Sequence, residues 1–117
     1  MRVLIAYEES HHVYRDAIVS VIRALRPHVE VEVADLGALE AEVERLDPHL
    51  VVSSRPNTVD PGGRAAWYKL SHEPHEESDI CLGGQRSGSH NPRLEELLRI
   101  IDQTEELVRT GRDLTGC

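Results

Sequence analysis

The apolar pattern in the first 54 residues leaves few folds open. Val3-Leu4-Ile5-Ala6 is a short unbroken apolar run, the mark of a strand buried on both faces. Residues 10–26 then carry Val13, Ala17, Val21 and Ala24 at helical spacing, widened by Ile18, Ile22 and Leu25 and stopped by Pro27. Val29-Glu30-Val31-Glu32-Val33 alternates strictly, which suits a strand with one wet face or one at a sheet edge. A shorter helix over 38–46, with Leu39, Val43 and Leu46 in line, ends at Asp47-Pro48, and Leu50-Val51-Val52 makes a third strand. Strands alternating with helices predict a parallel sheet.

The signal weakens beyond Ser53. Residues 55–63 hold two Pro and two Gly and read as loop, Ala65 to Leu70 as a fourth strand, and 71–79 as a polar, acidic loop. Ile80-Cys81-Leu82 reads as a very short fifth strand and 83–90 as a flexible connector. The last helix covers about 92–110, with Asn91 as N-cap, Pro92 at the first helical position, Leu94, Leu97, Leu98, Ile101 and Val108 on one side, and Gly111 just past its end.

The 117 residues fit one domain, spanning 1–117. The net charge is −8, and the aromatic side chains are Tyr7, Tyr14, Trp67 and Tyr68. A nucleic-acid surface needs a basic face and stacking platforms, and an anionic membrane attracts basic amphipathic stretches; neither fits this composition. No apolar run approaches the roughly 18–20 residues that span a bilayer. Cys81 and Cys117 read as two free thiols in a reducing cytoplasm.

In order and length, the run from Arg2 to Glu9, the helix, the alternating strand and Asp47-Pro-His-Leu-Val-Val-Ser-Ser54 resemble the receiver domain of two-component response regulators. The likeness covers residues 2–54 well and 65–110 loosely. It implies a three-layer, flavodoxin-like α/β fold with a five-stranded parallel sheet of order 2-1-3-4-5, which puts the alternating strand at an edge. It also implies a chemical device. An acidic pair after the first strand holds Mg²⁺, an Asp after the third takes a phosphoryl group, and a Lys after the fifth contacts it. On this chain the acidic pair falls on Tyr7 and Glu8, with Glu9 next. The acceptor falls on Ser54, or on Ser53 in the adjacent register; a small hydroxyl residue after the fourth strand is Ser71, and the Lys position is Gly83. One acid of the set is present; the carboxylate nucleophile and the lysine are missing.

The resemblance therefore implies a stand-alone degenerate receiver-like domain, not phosphorylated in the usual way, without enzymatic activity or cofactor, acting in cytoplasmic signalling through protein contacts. The stretches 54–64 and 72–79 leave helices after the third and fourth strands shortened or missing. One sheet face would then be partly bare, to be covered by a second copy in a homodimer or by loops anchored on Trp67.

Other groupings have simpler readings beside functional ones. His72 and His75 sit among Glu73, Glu76 and Glu77 in a spacing compatible with Zn²⁺ or Ni²⁺, completed by His11, His12 or His90, but a solvated acidic loop explains them as well. Glu8, Glu9, His11, Ser53, Ser54 and Arg55 could line a crevice at the C-terminal ends of strands one and three, the basis of an alternative reading as a small enzyme or ligand-binding protein. Gly83-Gly84-Gln-Arg-Ser-Gly-Ser before the last helix could cradle an anion, but it lacks the fixed glycine spacing of phosphate-binding loops.

Overall fold

The computed structural model describes residues 1–58, 63–71, 73, 76–89, 94–112 and 114–117. The strands are β1 (Arg2–Tyr7), β2 (Glu30–Asp35), β3 (Leu50–Ser53), β4 (Ala66–Lys69), β5 (Ser78–Leu82) and β6 (Gln85–Ser89). The helices are α1 (His12–Leu25), entered through a 3-10 turn at Glu9–His11, α2 (Leu39–Leu46) and α3 (Leu94–Thr110). The sheet order is β2-β1-β3-β4-β5-β6. The pairs β1–β2, β1–β3 and β3–β4 are parallel, whereas β4–β5 and β5–β6 are antiparallel. Among the described residues no helix is long and apolar enough to cross a membrane.

The α/β class and the expected order of the first five strands hold, but the all-parallel five-stranded sheet does not. The reason is chain length. A parallel return from β4 needs a crossover of about a dozen residues or more, and fewer than that separate Lys69 from Ser78. The chain can only come back the other way. It then turns again at Gly83 and Gly84, whose φ values of 58° and 85° lie where a side chain is unfavourable. The stretch expected to be a flexible connector is thus the tip of a hairpin and its outer strand.

Two cores form, one on each sheet face. Val3, Ile5, Tyr7, Leu50, Val52, Ala66, Tyr68 and Ile80 face Ile18, Val19 and Ile22 of α1 and Leu97, Ile100 and Ile101 of α3. Leu4, Ala6, Val51 and Trp67 face Leu36, Leu39 and Val43 on the other side. The strip α1 buries differs from the expected one. Ile18 and Ile22, expected to widen the strip, are buried, whereas Val13 is 71 % exposed and the small Ala17 and Ala24 are exposed too, because bulkier side chains remove more apolar surface from water. Tyr14 joins them by setting its ring edge-on to Tyr7, 5.4 Å between centroids. In α3, Ile100 and Thr104 are buried, while Leu94 is 45 % exposed. The helix closes as expected: Gly111 takes φ 68°, with Gly111 N–H bonded to Val108 O and Arg112 N–H to Leu107 O. The expected caps Asn91 and Pro92 lie outside the described residues.

Among the described residues the face carrying α2 has no helix over β4–β6. It is covered from within the chain. Trp67, 3 % exposed, donates its indole N–H to Arg55 O at 2.7 Å, and the segment ending at Cys117 lies beside it. Cys117 is buried, its N–H bonded to Arg64 O at 2.8 Å and its carbonyl accepting from Asn57 Nδ2 at 2.7 Å. Arg64 is anchored in turn on Asp47 Oδ1 and Pro48 O. Cys81 and Cys117 form a disulfide with 5.9 Å between Cα atoms, which corrects the expectation of two free thiols. Of the two ways to cover the bare face, loops anchored on Trp67 are present in the single chain.

Candidate functional site

The C-terminal ends of β1, β3 and β4 bring most of the sequence-selected residues together. Parallel register places Ala6, Ser53 and Lys69 side by side. Leu70 N–H bonds to Ser53 O at 2.8 Å, and the Tyr7 hydroxyl donates to Leu70 O at 2.6 Å. Tyr7, Ser53, Ser54 and Ser71 therefore surround one end of the sheet.

Their chemistry is already committed. Tyr7 is fully buried, and burial pushes its phenol well above the ordinary value, so the hydroxyl stays protonated and serves as a strut. Ser53 is fully buried, and its Oγ accepts from Arg55 N–H at 3.1 Å, closing a local turn. Ser71 does the same for Glu73 N–H at 3.0 Å. Ser54 is half-buried in a bend. Glu8 is exposed and offers its carbonyl to His11 N–H, and Glu9 is exposed and paired with Arg15 at 3.3 Å. The end of β3 carries hydroxyls where phosphotransfer needs a carboxylate.

Gly83 is elsewhere. Because β5 runs antiparallel, Leu82 pairs with Ala66 at the start of β4, and Gly83 N–H bonds to Ala65 O. The position expected to match the phosphate-contacting lysine thus lies at the opposite end of the sheet from Tyr7 and Ser53. His72 and His75, the weak metal candidates, lie outside the described residues. Among the described residues no three His, Cys, Asp or Glu side chains come together as a metal would need. Glu8, Glu9, His11, Ser53, Ser54 and Arg55, the expected crevice set, line neither of two cavities found elsewhere.

One of those cavities, of about 170 Å³, opens between α1 and α3 and is apolar, with Tyr14, Ala17, Val21, Leu94 and Leu97 in its wall. Close to it, the Tyr68 hydroxyl donates to Glu96 Oε1 at 2.7 Å, and Ser78, fully buried, donates to Ser89 O at 3.2 Å. Burial, and then the Glu96 carboxylate, push the Tyr68 phenol far up, so this cluster ties α3 to the sheet as neutral hydroxyls on an acceptor.

The other cavity, about 150 Å³, sits on the Trp67 face of β4–β6, with Trp67, Lys69, Asp79 and Arg86 in its wall beside the disulfide. Sequence reasoning missed it. The available signal was Gly83-Gly84 between two short runs, a two-residue hairpin mark that would have paired Arg86 with Cys81. No family model, curated protein or solved structure matches the chain.

Proposed function

We propose that this chain is a receiver-like regulatory domain of three-layer, flavodoxin-like type that has no phosphotransfer and works through contacts with other proteins. The observation that carries the reading is the state of the C-terminal end of β3: Ser53 is fully buried and bonded to Arg55 N–H, and Tyr7 is fully buried and bonded to Leu70 O. Among the described residues neither hydroxyl is bonded to a base that would make it a nucleophile. The antiparallel β5 supports the same reading, since Gly83 is far from the site that a lysine would serve.

A second copy of the chain is the partner proposed from the sequence. Its original reason, a bare sheet face, lapses because Trp67 and Cys117 are covered within one chain. What a second copy would find is the apolar opening between α1 and α3. The proposed setting is the cytoplasm, where a disulfide such as Cys81–Cys117 forms and breaks with redox conditions rather than persisting.

The test is incubation with a small-molecule phosphodonor and Mg²⁺, read by phosphorus NMR on the intact protein. The reading expects no protein-bound phosphorus signal. A stable phosphoprotein signal that disappears in a Ser53→Ala or Ser54→Ala variant would overturn it.

A further inference from the structure

The cavity over Trp67 is built from two cross-strand rows on one sheet face. In the first row Trp67 of β4, Cys81 of β5 and Arg86 of β6 stand opposite one another; in the second, Lys69, Asp79 and Gly88 do. Directly paired residues point to the same face, so the register alone gathers these side chains. Gly88 adds none, and its place is taken by the Glu77 carboxylate, which a Cβ there would strike at 2.4 Å.

The charges divide unevenly. Lys69, the chain's single lysine, faces Asp79 with 3.9 Å between Nζ and Oδ2, the outer limit of an ion pair. Arg86 has no hydrogen bond or ion pair from its guanidinium among the described residues. Among the described residues Lys69 and Arg86 thus line the cavity together with Asp79 and the last residue, Cys117, with the Glu77 carboxylate at the Gly88 end. The remaining wall combines Trp67, Pro56, Ile80 and the Cys81–Cys117 bond with the polar side chains of Asn57 and Ser87. The volume of about 150 Å³ is close to that of a cavity known to admit benzene.

We propose that this cavity binds a small organic carboxylate, its anionic end between Arg86 and Lys69 and its apolar body against Trp67 and the disulfide. A bidentate guanidinium on a carboxylate is a strong, directional contact, and Arg86 is free to make it. The disulfide belongs to the site because it holds Cys117 as a wall; with the two sulfurs reduced, that wall is tied by the Arg64 and Asn57 hydrogen bonds and by weaker contacts of the Cys117 sulfur with Gly84 N–H and Ala65 O.

Trp67 is the chain's single tryptophan, so the site carries its own reporter. The probe is benzoate, titrated against the oxidised full chain with Trp67 fluorescence and backbone amide NMR shifts read together. Saturable binding with shifts confined to residues near 56–57, 67–69, 79–81, 86–87 and 117 is expected. Benzamide, the neutral counterpart, and inorganic phosphate, an anion without an apolar body, are each expected to bind at least about ten-fold more weakly. Arg86→Met and Lys69→Met are each expected to weaken benzoate about ten-fold, while Arg99→Met, on α3, leaves it unchanged. Dithiothreitol, which takes up the disulfide's oxidation by closing to its own cyclic disulfide, is expected to lower benzoate affinity several-fold. No saturable response in either signal, equal binding of benzamide or phosphate, or full affinity in Arg86→Met would overturn the site. Unchanged affinity after reduction would remove the disulfide from it.

Discussion

Breaking the Cys81–Cys117 bond should cost this small domain a large share of its stability. The bond joins residues 36 apart. In the chain-entropy picture, closing a loop of that size restricts the unfolded ensemble by roughly 4 kcal/mol at 25 °C. Domains of this size are stable by about 5–15 kcal/mol, so the reduced protein should remain folded but much nearer its threshold. Taking about 3–6 °C per kcal/mol for a chain of this length, the midpoint of thermal unfolding should fall by roughly 12–24 °C. The assay is urea unfolding followed by Trp67 fluorescence, on the oxidised protein, the same protein in dithiothreitol, and the Cys81→Ser/Cys117→Ser variant. The reduced and double-variant curves should coincide within error and lie well below the oxidised one. The oxidised curve should also have the smaller slope with urea, since a cross-linked unfolded chain exposes less surface. A stability difference below about 1 kcal/mol, or two thiols reacting in air-oxidised protein, would refute the reasoning.

Other outcomes follow from single contacts. Tyr7→Phe should destabilise by about 1–3 kcal/mol in chemical denaturation, because Leu70 O is left buried without its 2.6 Å donor. Gly116→Ala should destabilise and loosen the hairpin tip, seen as faster amide exchange at 83–85, since a Cβ at 116 would come within 2.5 Å of Gly84 N. Burial foremost, with Arg2 nearby, holds the His49 imidazole below its ordinary pKa, and its Nδ1 accepts from Arg2 N–H at 3.0 Å. A group whose folded pKa is depressed contributes stability above its unfolded value, near 6.5, and loses it as pH falls through the folded value. Unfolding free energy should therefore decline below about pH 6.5, and His49→Asn, whose side-chain oxygen can take the same hydrogen bond, should flatten that decline. Asp102, held below the carboxylate range by the Arg26 hydrogen bond, acts at a lower pH: its contribution is present above about pH 4 and fades beneath it, and Arg26→Gln should remove that acid-limb slope.

The first half of the chain was legible because its elements advertise themselves locally. Val3–Ala6, Leu39, Val43 and Leu46, and the alternation over 29–33 each match one period, and β2 does lie at the sheet edge with Glu30 and Glu32 exposed. What periodicity hides is which way a face turns: Val13 and Ala17 keep helical spacing yet are exposed, because Ile18 and Ile22 bury more area one step round the helix. The second half fails for a different reason. β6 reads Gln85-Arg-Ser-Gly-Ser89, a strand with no apolar residue, held by pairing with β5 and by the turn at Gly83-Gly84. Strand direction depends on linker length and the disulfide on three-dimensional approach, and neither leaves a local mark. The site's fate followed from direction: reversing β5 carried Gly83 away from Ser53 and brought Arg86 beside Trp67.

The most direct test of the regulatory reading is intact-mass spectrometry after incubation with a small-molecule phosphodonor and Mg²⁺, comparing the wild-type chain with Ser54→Asp, which supplies a carboxylate at the half-buried position after β3. Both masses should stay unchanged, because the acid position at the end of β1 is the buried Tyr7 and the lysine position lies at the far end of the sheet. A phosphoryl adduct on the wild-type chain, mapped to Ser53 or Ser54, would contradict the account.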